Sequence, residues 1–103
     1  IAALGPEGVL VNVGRGSVVD EDALIAALQD KRLGAAALDV FATEPHVPEV
    51  LFSMDNVILT PHIGSATIET RRAMGDLTVD NLVQYFSDGQ VITPIPECCH
   101  LIG

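Results

Sequence analysis

The chain has 103 residues, of which 49% are hydrophobic and 18% are charged, and its formal net charge is −9. This length and apolar content are typical of one folded domain with buried layers, and they exclude a disordered chain. Fourteen acidic residues outnumber five basic ones. We therefore expect no basic surface for nucleic acid and none for an anionic membrane.

Two adjacent cysteines, Cys98 and Cys99, stand beside His100 near the end of the chain. A zinc site needs a second group of ligands, and neighbouring cysteines do not provide a disulfide framework. We therefore predict no metal and expect reduced thiols in a cytoplasmic protein. No apolar run reaches the ~20 residues that span a bilayer. Residues 1–4 resemble the end of a helix, so we expect more chain upstream.

The first forty residues predict a strand, a helix and a second strand. Residues 8–13 (GVLVNV) and 35–40 (AAALDV) are apolar runs typical of parallel strands buried on both faces. Asp20 is a good N-cap for the helix between them, and Gly34 is expected to end it. The predicted helix has an apolar stripe at Leu24, Ala27 and Leu28, and Lys31 and Arg32 in its last turn. This order predicts a right-handed βαβ unit.

The second half predicts one more strand and one long helix. Residues 56–60 (NVILT) form the strand, and Thr67 caps a helix that reaches about Ser87 and ends at residues 88–89. The expected apolar face of that helix contains Met74, Leu77, Leu82, Tyr85 and Phe86. Residues 91–96 are extended because they contain two prolines. The predicted fold class is α/β, an open and mostly parallel sheet with flanking helices.

Gly14 and Gly16 occupy the position between strand and helix where a dinucleotide phosphate loop would lie. That loop needs a third glycine at position 19, where this chain has Val19. Residues 20–22 are all acidic and would repel a pyrophosphate at the helix N-terminus. This turn is therefore not the phosphate loop.

Polar side chains follow all three strands: Arg15, then Asp39 with Glu44, then His62. Ligands of open α/β sheets bind outside the carboxyl ends of the strands, so these groups should converge. Arginine binds a carboxylate bidentately, histidine donates a proton near neutral pH, and a neighbouring carboxylate favours the protonated ring. This set suits reduction of a 2-oxo acid.

Each of these residues also has a structural interpretation. Arg15 could form a surface ion pair, Glu44 could be a solvated loop residue, His62 could be structural, and Asp39 could cap the next turn.

Three segments carry a resemblance to a known family. Residues 11–21 (VNVGRGSVVDE), 37–45 (ALDVFATEP) and 56–64 (NVILTPHIG) resemble, in order and spacing, the closing signatures of the D-isomer-specific 2-hydroxyacid dehydrogenases. The resemblance covers nearly the whole chain. Residues 47–52 and 67–71 are most similar to the glyoxylate/hydroxypyruvate and hydroxyphenylpyruvate reductase branch.

This resemblance implies catalytic roles for Arg15, which binds the substrate, for His62, which donates the proton, and for Glu44, its partner. It implies that Asp39 contacts the amide side of the nicotinamide. The cofactor NAD(P)H would be lined by Val13, Gly14, Arg15, Asp39, His62, Gly64 and Ser65. Position 65 is Ser here where some relatives have Gly.

The resemblance also implies the C-terminal part of a Rossmann-type NAD(P)-binding domain over residues 1–90. Residues 91–103 would be a tail that returns toward a substrate domain. The expected activity is reduction of glyoxylate or hydroxypyruvate to the D-2-hydroxy acid by a cytoplasmic homodimer. Two alternatives remain: an NAD(H)-sensing corepressor of the same fold, and an inactive isolated fragment. The chain alone is expected to be inactive because the family's glycine-rich phosphate loop lies upstream.

Overall fold

The computed structural model describes the backbone of residues 1–101 and the side chains of residues 1–98. The predictions for Cys99 and His100, and for the end of the tail, therefore lie outside the described side chains. The chain divides into two compact units, Ile1–Gly64 and Ser65–Gly103. The predicted division at residue 90 concerns the complete protein and stays a prediction.

The first unit contains the three predicted strands, all parallel and ordered β1 (Val9–Asn12), β2 (Ala35–Leu38) and β3 (Val57–Leu59). The strand predictions and the α/β fold class are confirmed. Each strand is shorter than its apolar run, because residues at the ends of the run enter loops. The β2–β3 connection contains a 3₁₀ helix at Glu49–Ser53 that the sequence did not indicate.

Helix α1 (Glu21–Gln29) begins as predicted, because the Asp20 side chain accepts a hydrogen bond from the Ala23 amide at 3.1 Å. It ends earlier than predicted. Lys31 takes a left-handed conformation with φ of 56°, and the last helical turn contains no basic residue. The prediction that put Lys31 and Arg32 in that turn is therefore wrong: the chain reverses before Gly34 to bring β2 beside β1.

The core of this unit lies on one face of the sheet. The predicted stripe of α1 is buried there, with β2 and the 3₁₀ helix. Buried members include Leu24, Ala27, Leu28, Leu33, Ala36, Leu38 and Leu51. Truncation of a buried leucine in such a core typically costs about 2–5 kcal/mol.

The opposite face of the sheet is not covered in the described structure. Val11 of β1 and Ile58 of β3 both pair in register with Ala37, and their exposed fractions are 64% and 67%. The prediction of burial on both faces is therefore wrong for β1. The physical reason is that α1 packs on one side only.

The second unit contains α2 (Ile68–Asp88), capped by the Thr67 side chain and ended by Gly89 with φ of 78°. Both ends are confirmed. None of the helix residues is buried, so its predicted apolar residues are exposed. The Asn81 side chain bonds Ile92 and Thr93, and holds the segment after the helix against its last turns. No helix in the described part of the chain is long and apolar enough to cross a membrane.

Candidate active site

The loop after β1 carries Arg15 and is organised by the last residue of the strand. Asn12 is buried; its Oδ1 accepts from the Gly14 amide at 3.1 Å, and its Nδ2 donates to the Arg15 carbonyl at 3.0 Å. The Arg15 side chain is exposed, and its Nη1 donates to the Gly14 carbonyl at 2.8 Å. The backbone of Arg15 is thus fixed while most of its guanidinium donors stay available.

The loop after β3 is held by Asp39, which follows β2 and is 5% exposed. Its Oδ1 accepts from the Thr60 hydroxyl at 2.6 Å and the Ile63 amide at 2.8 Å, and its Oδ2 from the Gly64 amide at 2.9 Å. The Thr60 hydrogen bond, followed by the Ile63 amide, lowers the pKa of Asp39. Asp39 therefore stays ionised and ties β2 to both sides of His62.

His62 itself has a left-handed backbone with φ of 57°. This conformation is uncommon for a residue with a Cβ atom. The hydrogen bonds that Thr60, Ile63 and Gly64 donate to Asp39 stabilise this conformation, since they hold the chain both before and after the histidine.

Glu44 and His62, which are 18 positions apart, meet directly. Glu44 Oε2 lies 2.8 Å from His62 Nδ1, and Glu44 Oε1 accepts from the Phe41 amide at 3.2 Å. The pKa of Glu44 is lowered first by the His62 hydrogen bond, then by the Phe41 amide, with a smaller effect from the Arg15 charge. The pair is partly open to solvent, with side-chain exposures of 45% for His62 and 36% for Glu44.

An apolar cleft of about 180 Å³ adjoins this pair. Its walls are Phe41, Pro45, Val47 and Pro61, together with Glu44 and His62. Apolar walls with a few polar groups are typical of small-molecule sites. A larger groove in the second unit, beside Asn81, contains none of the predicted site residues.

The structure therefore brings together Glu44 and His62, puts Asp39 under the same loop, and brings the Arg15 charge within electrostatic range of Glu44. Val13 and Gly14 lie exposed on the Arg15 loop, and Ser65 belongs to the second unit. Two supporting residues of these loops were not identified from the sequence: Asn12 and Thr60. An asparagine that ends a strand can accept a hydrogen bond from the amide two residues on, which is a recognisable turn signal for the first of these. No described side chains form a group of three metal ligands.

The chain is similar in sequence to a known protein family and to several of its members. Residues 1–64 match the model described as D-isomer specific 2-hydroxyacid dehydrogenase, NAD binding domain. The chain is 60% identical over 93 residues to glyoxylate/hydroxypyruvate reductase A of Arabidopsis thaliana, covering 90% of this chain and 30% of the relative. It is 57% identical over 95 residues to hydroxyphenylpyruvate reductase of Plectranthus scutellarioides, covering 92% of this chain and 30% of that protein.

A solved structure is also similar throughout. It is an NADPH-dependent glyoxylate/hydroxypyruvate reductase of Sinorhizobium meliloti in complex with NADP and malonate, with a TM-score of 0.91 and 58% identity. The match covers 93% of this chain and 30% of the solved one. The chain thus spans about a third of the length of its relatives, and the predicted branch and Rossmann-type fold are confirmed.

Proposed function

The chain belongs to the D-isomer specific 2-hydroxyacid dehydrogenase family, and from this premise we propose that the complete protein containing it reduces a small 2-oxo acid. Glyoxylate and hydroxypyruvate are the proposed substrates, the D-2-hydroxy acid is the product, and NAD(P)H supplies the hydride. The observation that carries the proposal is the Glu44–His62 contact beside an apolar cleft.

His62 is proposed as the proton donor. Its Nδ1 faces Glu44 at 2.8 Å, so Nε2 is the nitrogen left to donate to the substrate carbonyl oxygen. The Glu44 carboxylate orients the ring through this contact. In the reverse reaction the neutral ring takes the proton back.

Arg15 is proposed to bind the substrate carboxylate. A guanidinium matches a carboxylate with two parallel hydrogen bonds. Only one of its donors is engaged by the neighbouring Gly14 carbonyl. The substrate would therefore be held between Arg15 and His62 with its carbonyl oxygen toward the imidazole.

The residues at the sheet edge also fit a nicotinamide ring. A carboxylate has about four acceptor sites, and the described contacts of Asp39 use three. The fourth suits the ring's carboxamide. Gly14 and Gly64 have no side chain to block a flat ring near this edge. We propose Val13, Gly14, Arg15, Asp39, His62, Gly64 and Ser65 as the cofactor contacts.

The expectations of a cytoplasmic homodimer without nucleic-acid or membrane partners remain proposals. The net charge of −9 supports the absence of a nucleic-acid partner. Sedimentation velocity of the complete protein over a range of concentrations tests the dimer, and a constant monomer mass would contradict it.

The test of function uses the complete protein with glyoxylate or hydroxypyruvate and either nicotinamide cofactor. We expect cofactor oxidation, a D-configured product from hydroxypyruvate, and a loss of at least about 10²-fold in kcat/KM for His62→Gln. His46→Gln is the matched control, because His46 is exposed and its described hydrogen bond is through the backbone. Lack of turnover by the wild type, or equal rates for the two variants, would refute the proposal.

A further inference from the structure

The loop that carries Glu44 rests directly on the segment that follows β1. A Cβ atom added at Gly16 would lie 2.1 Å from the backbone carbon and oxygen of Phe41 and 2.6 Å from the Ala42 nitrogen. The two segments are therefore in close backbone contact. A side chain at position 16 would therefore push them apart.

A second contact secures the same point from α1. The Ala42 amide donates to Glu21 Oε2 at 2.9 Å, across 21 positions of sequence. Asp20 already caps the helix through the Ala23 amide. The Glu21 carboxylate is thus directed at the loop, whereas an acidic residue in a first helical turn ordinarily needs no such partner.

These contacts form a short chain that ends at the proposed proton donor. Glu21 holds the Ala42 amide, the preceding Phe41 amide donates to Glu44 Oε1, and Glu44 Oε2 contacts His62. The consecutive amides of this loop therefore each bind a carboxylate. The Ala42 amide binds Glu21, and the Phe41 amide binds Glu44, which also contacts His62. Loss of the first bond frees the residue next to the second.

We propose that Glu21 is a positioning residue that holds the 41–44 loop so that Glu44 meets His62. This inference rests on the proposed function for its kinetic consequence, but its structural part stands apart from activity. The role depends on a hydrogen-bond acceptor and not on negative charge, because the partner is a neutral backbone amide.

The experiment compares Glu21→Ala, Glu21→Gln and Asp22→Ala in the complete protein. Asp22 is the matched control: it lies in the same first turn, carries the same charge and is exposed. Glu21→Ala should lower kcat for 2-oxo acid reduction about 3- to 10-fold, the scale of one lost hydrogen bond. KM should change less than twofold, because Arg15 is held separately by Asn12. Glutamine keeps the acceptor, so Glu21→Gln should restore most of kcat.

Hydrogen–deuterium exchange of the same variants measures the loop without reference to activity. Residues 41–44 should exchange faster in Glu21→Ala than in Asp22→Ala, and Glu21→Gln should resemble the wild type. Unchanged exchange in Glu21→Ala, or equal kinetic losses in Glu21→Ala and Asp22→Ala, would overturn the inference. A wild type that reduces no 2-oxo acid, with faster exchange in Glu21→Ala, would refute the proposed function and leave the loop contact standing.

Discussion

Gly16→Ala tests whether the close backbone contact between two loops sets the geometry of the site. The added methyl carbon would begin 2.1 Å from two backbone atoms of Phe41. Ordinary contact starts near 3.4 Å, so the segments must separate by about 1.3 Å. A misplacement of about 1 Å can cost 10²-fold in rate. We therefore expect kcat/KM to fall about 10²-fold, with a loss of about 1–3 kcal/mol in the free energy of unfolding.

The assay is steady-state reduction of hydroxypyruvate, with urea unfolding of the same preparation. Gly14→Ala is the stability control, since its Cβ would meet only Asn12 Oδ1, at 3.5 Å. Its free energy of unfolding should stay within about 0.5 kcal/mol of the wild type. Neither glycine has a positive φ, so the difference between the variants reports contact and not backbone strain. Wild-type rates and stability in Gly16→Ala would show that the two loops are not rigidly coupled.

Three further substitutions test individual side chains. Arg15→Lys should lower kcat/KM by the equivalent of about 2–3 kcal/mol, because lysine keeps the positive charge but cannot form two parallel hydrogen bonds to the substrate carboxylate. Near wild-type kinetics would show that Arg15 only stabilises its loop. Glu44→Gln removes the negative charge 2.8 Å from His62 Nδ1, so kcat/KM for reduction should fall about 10-fold, the scale of one lost charge-assisted hydrogen bond; wild-type kinetics would show that Glu44 is a solvated carboxylate without a role in the reaction. The pKa of Asp39 is lowered in the folded protein. Its ionised side chain therefore stabilises the fold at pH values above the ordinary pKa of an aspartate, and this stabilisation is lost as the pH falls through the lowered pKa. The free energy of unfolding should therefore differ less between wild type and Asp39→Asn in acid than at neutral pH. A difference that is the same at every pH would contradict this.

Most of the fold could be predicted because its signals are local. Short valine- and alanine-rich runs bounded by glycine and proline predicted three parallel strands, and side-chain caps predicted both helix starts. The end of α1 could not be predicted in the same way. Its reversal uses a lysine in the left-handed conformation, whereas sequence rules favour glycine there.

The site was predictable in position but not in its supporting contacts. Arg15, Asp39 and His62 follow parallel strands, so topology alone brings them to one edge. Thr60 and Glu21 each contact a residue 21 positions away in the sequence. Such contacts depend on the path of the loops between them, and the hydrophobic pattern of the sequence does not predict that path. Asp39 was expected to face the cofactor, and its additional role in holding the His62 loop became visible only through its three hydrogen bonds.

The arrangement separates the groups that would meet substrate from the groups that hold them. Arg15, Glu44 and His62 are open to solvent, while Asn12 and Asp39 are buried and their side chains hydrogen-bond to the loops that carry these groups. An exposed ion pair contributes little by itself, so Glu44 and His62 would not hold their geometry by mutual attraction alone. The backbone hydrogen bonds made by Asp39, together with the Phe41 amide and the Glu21 contact, supply that geometry before any ligand arrives. Such preorganisation is what a proton donor needs, because the supporting hydrogen bonds are formed during folding and need not be rearranged during the reaction.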